Sequence, residues 1–284
     1  MNKPLKSTLI TILIVVLLAG AALTVYYFCR PKGQSRNEIE ISPINNTYIA
    51  YSGQNITTCS PRESLFILAY RVKHLNSYST TISGEVNAGG IYKQDVSGEK
   101  YIVGKDSVYV SRSTSFLKNT ADQIFINSNT ALVRNGDPKT NVYEDTVKKY
   151  TLSQYFEEYG TYYRELSNYE LNDSTITNAE LVSAENGLYT YKYEINVEKG
   201  VNEYRVNMYK MGSLSELPIF KTSMLTVTMT TEFMPITITQ IDEYSINMFF
   251  NLNCTSTLTE NFEKLNDNSV VIPDYEFFKT HLGD

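Results

Sequence analysis

The 284-residue chain carries 25 basic and 31 acidic residues, a net charge of −6 at pH 7. Residues 1–36 hold five of the basic residues and no acidic ones, so the remainder is more acidic than the whole. An acidic surface repels polyanions, which argues against a nucleic-acid partner. The length beyond residue 36 suits one domain with a sizeable core.

Residues 8–28 form an uncharged apolar run. At 1.5 Å per residue, a helix of this length reaches about 30 Å, the thickness of the hydrocarbon core of a bilayer. The run therefore predicts one transmembrane helix with basic residues on both sides. The alternative is a cleaved signal peptide, because residues 19–22 are small, although a secretory apolar region is only about 7–15 residues long.

The predicted organisation has four parts. Residues 1–36 are a tail and membrane anchor, and residues 37–60 are a linker rich in Pro, Gly, Asn and Ser. Residues 61–263 form an α+β domain, and residues 264–284 form a C-terminal tail. A short basic N-terminus before a long domain is the usual signal-anchor layout, so we expect the domain to lie outside the cytoplasm, at the cell membrane.

A capping box opens the domain at Ser60, with Pro61 at the first helical position and Glu63 three residues after the cap. The apolar residues that follow recur at intervals of three and four, which predicts an amphipathic helix of about four turns ending near Leu75. From Tyr78 the period changes to two and indicates a half-buried strand.

Short strands are then predicted at residues 91–96, 101–103, 108–112, 124–127 and 131–134. The turns between them are assigned to residues 97–98, 104–106, 128–129 and 135–136, where Gly, Asn and Ser concentrate. Close spacing with tight turns predicts an antiparallel meander.

The second half of the domain repeats both periods. An aromatic stripe predicts a helix over residues 152–169, interrupted by Gly160, and a shorter helix is expected over residues 201–211. Strands are predicted at residues 189–197, 225–230 and 236–238, and one long central strand at residues 244–254. The expected fold is a large, curved, half-barrel-like antiparallel sheet with two or three helices on one face.

The chain lacks the sequence patterns of common catalytic, metal and cofactor sites. His74 and His281 are isolated, and there is no HExxH, paired CxxC, phosphate-binding loop or GxSxG motif. Adjacent carboxylates at residues 157–158 and 242–243 point away from each other on a helix or strand. The sequence therefore predicts no catalytic residues, no metal, no cofactor and no enzymatic activity.

Three cysteines leave two interpretations open. An oxidising location permits a disulfide between Cys59 and Cys254, while Cys29 lies at the membrane boundary. Alternatively, Cys254 continues the apolar face of its strand and is a buried thiol.

Two strands offer more large apolar side chains than one short helix covers. They define a candidate face for an apolar ligand, formed by Tyr189, Tyr191, Tyr193, Tyr244, Ile246, Met248 and Phe250. The alternative is that the same side chains close-pack into an ordinary core.

The order of elements over residues 61–263 resembles the half-barrel architecture of LolA-like and LppX-like envelope lipoproteins. The stretches MYKMGSLSELPIFKTSMLTVTM and EYSINMFFNLNCTSTLTENF also resemble membrane-anchored surface proteins of Gram-positive bacteria. Those lipoproteins use a lipid-modified cysteine or a cleaved signal, whereas a spanning helix is predicted here. The resemblance implies a tethered binding module for a lipid or other apolar ligand, or a structural component that contacts other envelope proteins.

Overall fold

The computed structural model describes residues 44–90, 92–115, 119–161, 166–212, 214–247 and 251–282. The predicted membrane anchor at residues 8–28 lies outside this part of the chain, as does Cys29. Among the described residues, no helix combines the length and apolarity needed to cross a membrane.

An antiparallel sheet of twelve strands dominates the structure, as predicted. The strands are β1 Ser77–Ala88, β2 Tyr92–Val103, β3 Asp106–Ser115, β4 Thr120–Ile126, β5 Thr130–Asp137, β6 Val142–Tyr143, β7 Lys148–Thr151, β8 Ile176–Glu185, β9 Leu188–Ile195, β10 Ile219–Thr230, β11 Pro235–Asn247 and β12 Asn251–Glu263. Their order is β6-β5-β4-β3-β2-β1-β12-β11-β10-β9-β8, with β7 also paired to β5. The pairing of β1 with β12 joins the two halves of the chain at the centre of the sheet.

Within the described ranges, four helices pack on this sheet: α1 Pro61–Lys73, α2 Leu152–Tyr159, α3 Asn202–Met211 and α4 Tyr275–Leu282. Because strand side chains alternate between faces, each strand offers one row of side chains to each side of the sheet. The inner face is defined here as the face that carries Tyr193, Tyr244 and Tyr109, and helices α1, α2 and α3 contribute to the clusters on it. Helix α4 covers the outer face at β3–β5.

Helix α1 begins as the sequence predicts. The Ser60 side chain accepts a hydrogen bond from the Glu63 backbone, and the Glu63 side chain accepts one from the Ser60 backbone. This reciprocal pair satisfies two backbone donors that the first turn leaves without partners. Leu65, Leu68 and Val72, on the apolar side of the helix, are buried in the inner-face apolar cluster that also contains Tyr193 and Tyr244. We call this cluster the main core.

Two predicted turns are wrong because their glycines belong to strands. Gly98 lies within β2 opposite Ile82 and Ser111, and a Cβ there would lie 2.7 Å from the Val110 carbonyl oxygen. Gly136 lies within β5, where a Cβ would lie 2.6 Å from the Tyr143 ring. At both positions glycine allows a close approach between strands, which is its other common role.

Two further predicted elements have different bounds from those expected. The helix from residue 152 stops at Tyr159, because Gly160 adopts φ +74° and caps its end. The expected single strand over residues 244–254 is the junction of β11 and β12, so Tyr244 faces Cys254 across the pair. In the sequence, the alternation of apolar residues continues from β11 into β12, so the pattern predicts one strand where the structure has two.

Both flanking segments contact the domain. In the last part of the predicted linker, Ile56 is buried in the main core and the Thr47 amide donates to the Leu171 carbonyl. In the predicted tail, Phe278 of α4 stacks on Phe125 with ring centroids 5.2 Å apart.

Candidate functional site

A cavity of about 260 Å³ lies on the inner face, and we call it the inner cavity. Its floor is the centre of the sheet, from β11 and β12 across β1 and β2 to β3 and β4. Its other wall comes from helix α3 and from residues 166–168, which precede β8. The apolar lining includes Ile82, Val96, Tyr109, Ile124, Ile238, Leu258, Leu166 and Tyr204.

The strand register explains why these side chains meet. Ile82 of β1 lies opposite Glu260 of β12 and Gly98 of β2, and Glu260 lies opposite Ile238 of β11. Directly opposed residues of antiparallel strands point to the same face. Since Gly98 has no side chain, the space beside Ile82 stays open. One continuous patch of inner-face side chains therefore surrounds the inner cavity.

A buried ion pair lies among these apolar side chains. The Lys100 Nζ lies 2.8 Å from Glu260 Oε1, and the two side chains are only 7% and 14% exposed. Both residues line the inner cavity. Because burial removes water from each charge, such a pair gives little net stability and is often replaced by apolar residues without loss. The pair therefore contributes polarity to the inner cavity more than it stabilises the fold.

Further polar groups line the opposite wall. Glu203 of α3 is buried, and its Oε2 accepts a hydrogen bond from the Ile44 amide at 3.1 Å. The Asn168 side chain lies 3.5 Å from the Gln240 Oε1. The inner cavity thus combines an apolar floor with charged and amide groups, a composition suited to an amphiphilic molecule.

A buried carboxyl group holds residues 166–171 against the sheet. Asp242 accepts hydrogen bonds from the Tyr169 hydroxyl at 2.7 Å, from Ser223 at 2.6 Å and from Ser256 at 3.4 Å. Burial raises the pKa of Asp242 to about 6, although the three hydrogen bonds act in the opposite direction. Burial also raises the pKa of the Tyr169 hydroxyl well above its ordinary value. Tyr169 therefore stays a donor.

A second cavity of about 300 Å³ lies under helix α1, and we call it the α1 cavity. Ala69, Val72, Leu75, Tyr78 and Ile102 form its apolar lining. Asn46, Tyr48 and Lys73 add polar groups, and the Lys73 Nζ lies 3.9 Å from the centre of the Tyr48 ring. Leu166 lines both cavities.

The ligand face predicted from sequence lies on the inner face, but away from both cavities. Tyr191 and Tyr193 are buried beneath helix α1, and the Tyr193 hydroxyl donates to the Pro61 carbonyl at 2.9 Å. Tyr244 is buried against Phe220, while Tyr189 and Ile246 are partly buried at the margin of the same core. Met248 and Phe250 lie outside the described residues. The described side chains of this set therefore pack as core, because α1 and α3 cover them.

The proposed bond between Cys59 and Cys254 is not formed, since both residues are free thiols. Cys254 is buried in the main core, where burial raises its pKa to about 11, so it packs as an apolar residue. His74 and His281 each lie in hydrogen-bond range of the carbonyl oxygen four residues earlier, on α1 and α4. Within the described ranges, no three His, Cys, Asp or Glu side chains are grouped to hold a metal ion.

The residues that line the inner cavity were not singled out from the sequence. Lys100 and Glu260 are 160 positions apart, so no local pattern links them. A partial signal exists in β12, where Glu260 continues the row of Ser256 and Leu258 that faces the core. A charged residue on the buried row of a central strand indicates either a charged partner or a binding site.

Comparisons with known proteins give little guidance. No protein-family model matches the chain, and no curated protein matches it. Among solved structures, a LolA superfamily protein from Nitrosomonas europaea is 12% identical with a TM-score of 0.30, covering 78% of this chain and 100% of that chain. MucB in complex with MucA(peri) is 6% identical with a TM-score of 0.12, covering 72% and 94%. The likeness to the LolA fold is thus weak and carries no argument about the site.

Proposed function

We propose that this protein is a non-catalytic binding module for a small amphiphile, a molecule with one apolar chain and a polar head. The observation that supports the proposal is the inner cavity with its apolar lining and its buried Lys100–Glu260 pair. Small-molecule sites are mostly apolar concavities with a few placed polar groups. The inner cavity, at about 260 Å³, lies near the lower limit of such sites, which favours a single chain over a bulky ligand.

The polar head has defined groups to bind. The Lys100 ammonium group can donate to an oxygen of the head while it remains within reach of Glu260. Asn168 and Gln240 add amide groups on the adjacent wall. The apolar chain then lies against Ile82, Leu258 and the other apolar side chains of the floor, where its burial contributes about 0.8 kcal/mol per methylene group.

The proposal includes the location expected from the sequence. Residues 8–28 are long and uncharged enough to span a bilayer once, which would hold the domain near a source of amphiphiles at the outer side of the cell membrane. Protease treatment of intact cells tests this arrangement. The C-terminal domain should be digested without lysis, and protection until lysis would refute the orientation.

Native mass spectrometry of the full chain, released from micelles, tests the binding function. In Leu258→Trp, a larger side chain fills the inner cavity, whereas in Thr257→Trp it points from the exposed outer face of the same strand. The wild type and Thr257→Trp should retain a single-chain amphiphile that organic extraction identifies, and Leu258→Trp should lose it. Lipids bound to the predicted span would remain in all three proteins. Equal retention of the same amphiphile by all three would exclude the inner cavity as its site.

A second function is favoured by one feature of the sheet edge. Strand β8 lies at the end of the strand order, and its Leu181 and Val182 are 50% and 57% exposed. Exposed apolar side chains on an edge strand are a common feature of protein interaction sites. The alternative proposal is therefore a structural or protein-interaction component of the cell surface. Cross-linking in intact cells that depends on Leu181 and Val182, together with no retained amphiphile, would favour this alternative.

A further inference from the structure

We infer that the inner cavity and the α1 cavity hold one ligand between them, with the head in the inner cavity and the end of the chain in the α1 cavity. Leu166 is the side chain that separates the two compartments and so sets the chain length that binds. This inference rests on the proposed binding function and deepens it, because it assigns a residue that determines selectivity among single-chain amphiphiles.

The two cavities lie along the same two strands. On β1, Ile82 lines the inner cavity and Tyr78 lines the α1 cavity, four residues away on the same face. On β2, Gly98 pairs with Ile82 and Ile102 pairs with Tyr78. The two positions on β2 therefore lie directly beside the two positions on β1. We call the inner-face positions from Ile82 to Tyr78 on β1, with their partners on β2, the track. At about 3.3 Å per residue, its two ends are about 13 Å apart.

The middle of the track carries polar groups. Thr80 pairs with Lys100 midway between the two ends. The Thr80 hydroxyl is buried and makes no hydrogen bond to any residue that the structure describes. The Thr80 side chain lines neither cavity, so Lys100, which lines the inner cavity, is the member of this pair that a ligand can reach. The polar head is therefore expected beside Lys100, in the inner cavity.

Leu166 is the residue that both cavities share. The chain just after it is fixed to the sheet, since the Tyr169 hydroxyl donates to Asp242 and the Tyr169 amide donates to the Ser167 hydroxyl. The Leu171 amide also donates to the Asn46 side chain. Because the backbone is held in this way, joining the compartments would depend on the Leu166 side chain and not on a movement of the backbone.

The volumes support joint occupancy. Taken alone, the cavities of about 260 Å³ and 300 Å³ are at the lower limit of small-molecule sites, and a joined space falls well inside the usual range. The α1 cavity is lined by Ala69, Val72 and Ile102, which suit the end of an alkyl chain.

Saturated alkyl carboxylates of about 8 to 16 carbons are the probes, titrated against the full chain and read by native mass spectrometry. Leu166→Ala should strengthen binding of the longest carboxylates by about tenfold, since a few more methylene groups are buried, and should leave the shortest unchanged. Leu166→Phe should weaken the longest by a similar factor. Ala69→Val narrows the α1 cavity from the opposite wall and should act like Leu166→Phe, without altering Leu166.

The possible outcomes distinguish a failure of the joint occupancy from a failure of the proposed binding function. If short carboxylates bind and Leu258→Trp blocks them, yet the Leu166 and Ala69 variants leave the length preference unchanged, the joint occupancy is wrong and the binding function stands. If no carboxylate of any length binds the wild type, both fail. A length preference that changes in the predicted directions supports both.

Discussion

Asp242 is a buried carboxyl group whose protonation is coupled to folding. In the unfolded chain its pKa is about 3.9, whereas burial raises the pKa in the folded protein to about 6. Between these values the folded protein binds a proton that the unfolded chain does not. The folded state is therefore favoured at low pH, and this contribution, about 3 kcal/mol, is lost as the pH rises through 6.

Asp242→Asn is expected to remove this pH dependence. Its amide can still accept from Tyr169 and Ser223, and it carries no charge at any pH. Urea unfolding followed by tyrosine fluorescence should show the variant gaining about 3 kcal/mol relative to wild type between pH 4 and pH 7.5. Asp173→Asn, at a 77% exposed side chain, serves as the control. Parallel stability profiles for wild type and Asp242→Asn would rule out the coupling.

The Lys100–Glu260 pair gives a second prediction at the residue scale. Lys100→Met leaves the Glu260 carboxylate without its partner in a low-dielectric wall and should lower the free energy of unfolding by about 3–5 kcal/mol. Replacing both residues by Met should restore stability to within about 1 kcal/mol of wild type. A double variant as unstable as the single one would show that the pair itself holds the fold together.

At the scale of elements, Gly160 determines where helix α2 ends. Its φ of +74° costs an alanine about 1–2 kcal/mol. A Cβ would also lie 2.9 Å from the Asn207 backbone nitrogen of α3. Gly160→Ala should therefore lower the free energy of unfolding by more than about 2 kcal/mol. Gly187→Ala is matched in φ, at +77°, but has no atom within 4 Å of its Cβ, so it should cost less. Equal losses in the two variants would contradict the contact.

One fully buried ring of helix α4 packs on the outer face of the sheet. Phe278 is fully buried against Phe125, so Phe278→Ala should cost about 3–5 kcal/mol in urea unfolding. Val271→Ala, at a side chain 74% exposed, should change stability by less than about 0.5 kcal/mol. If Phe278→Ala released α4 from the sheet without lowering the free energy of unfolding, the predicted tail would not contribute to the stability of the domain.

Local signals explain which elements could be predicted from the sequence. The Ser60–Glu63 capping box and the turn predicted at residues 104–106 have chemistry that acts within a few residues. The capping box is confirmed, and the structure places the turn at residues 104–105, since Asp106 already belongs to β3. Gly98 and Gly136 were misassigned because glycine serves both turns and close strand contacts, and only the partner strand distinguishes the two roles. Strand β8 was missed because only Ile176 of its residues is fully buried, so its sequence lacks a clear alternation.

At the scale of the whole molecule, the contacts between strands that are distant in the chain could not be predicted from the sequence. The pairing of β1 with β12 joins residues about 170 positions apart, and it is this pairing that brings Ile82 to Glu260. The described residues of the predicted ligand face pack in the core, because α1 and α3 cover them, and this coverage depends on tertiary packing that the sequence pattern does not contain. A cavity is what packing leaves open, so no periodicity in the chain encodes it.

Photo-cross-linking in native membranes tests the central claim most directly. A single-chain carboxylate with a photoactivatable group next to its carboxylate is added to membranes that contain the full chain. After irradiation, the labelled positions are located by peptide mapping. The labelled positions should fall on the inner face of β1, β2 and β12, at or near Ile82, Lys100 and Leu258, and an excess of unlabelled carboxylate should prevent the labelling. Labelling confined to residues 8–28, or to the exposed Leu181 and Val182 of β8, would contradict the account.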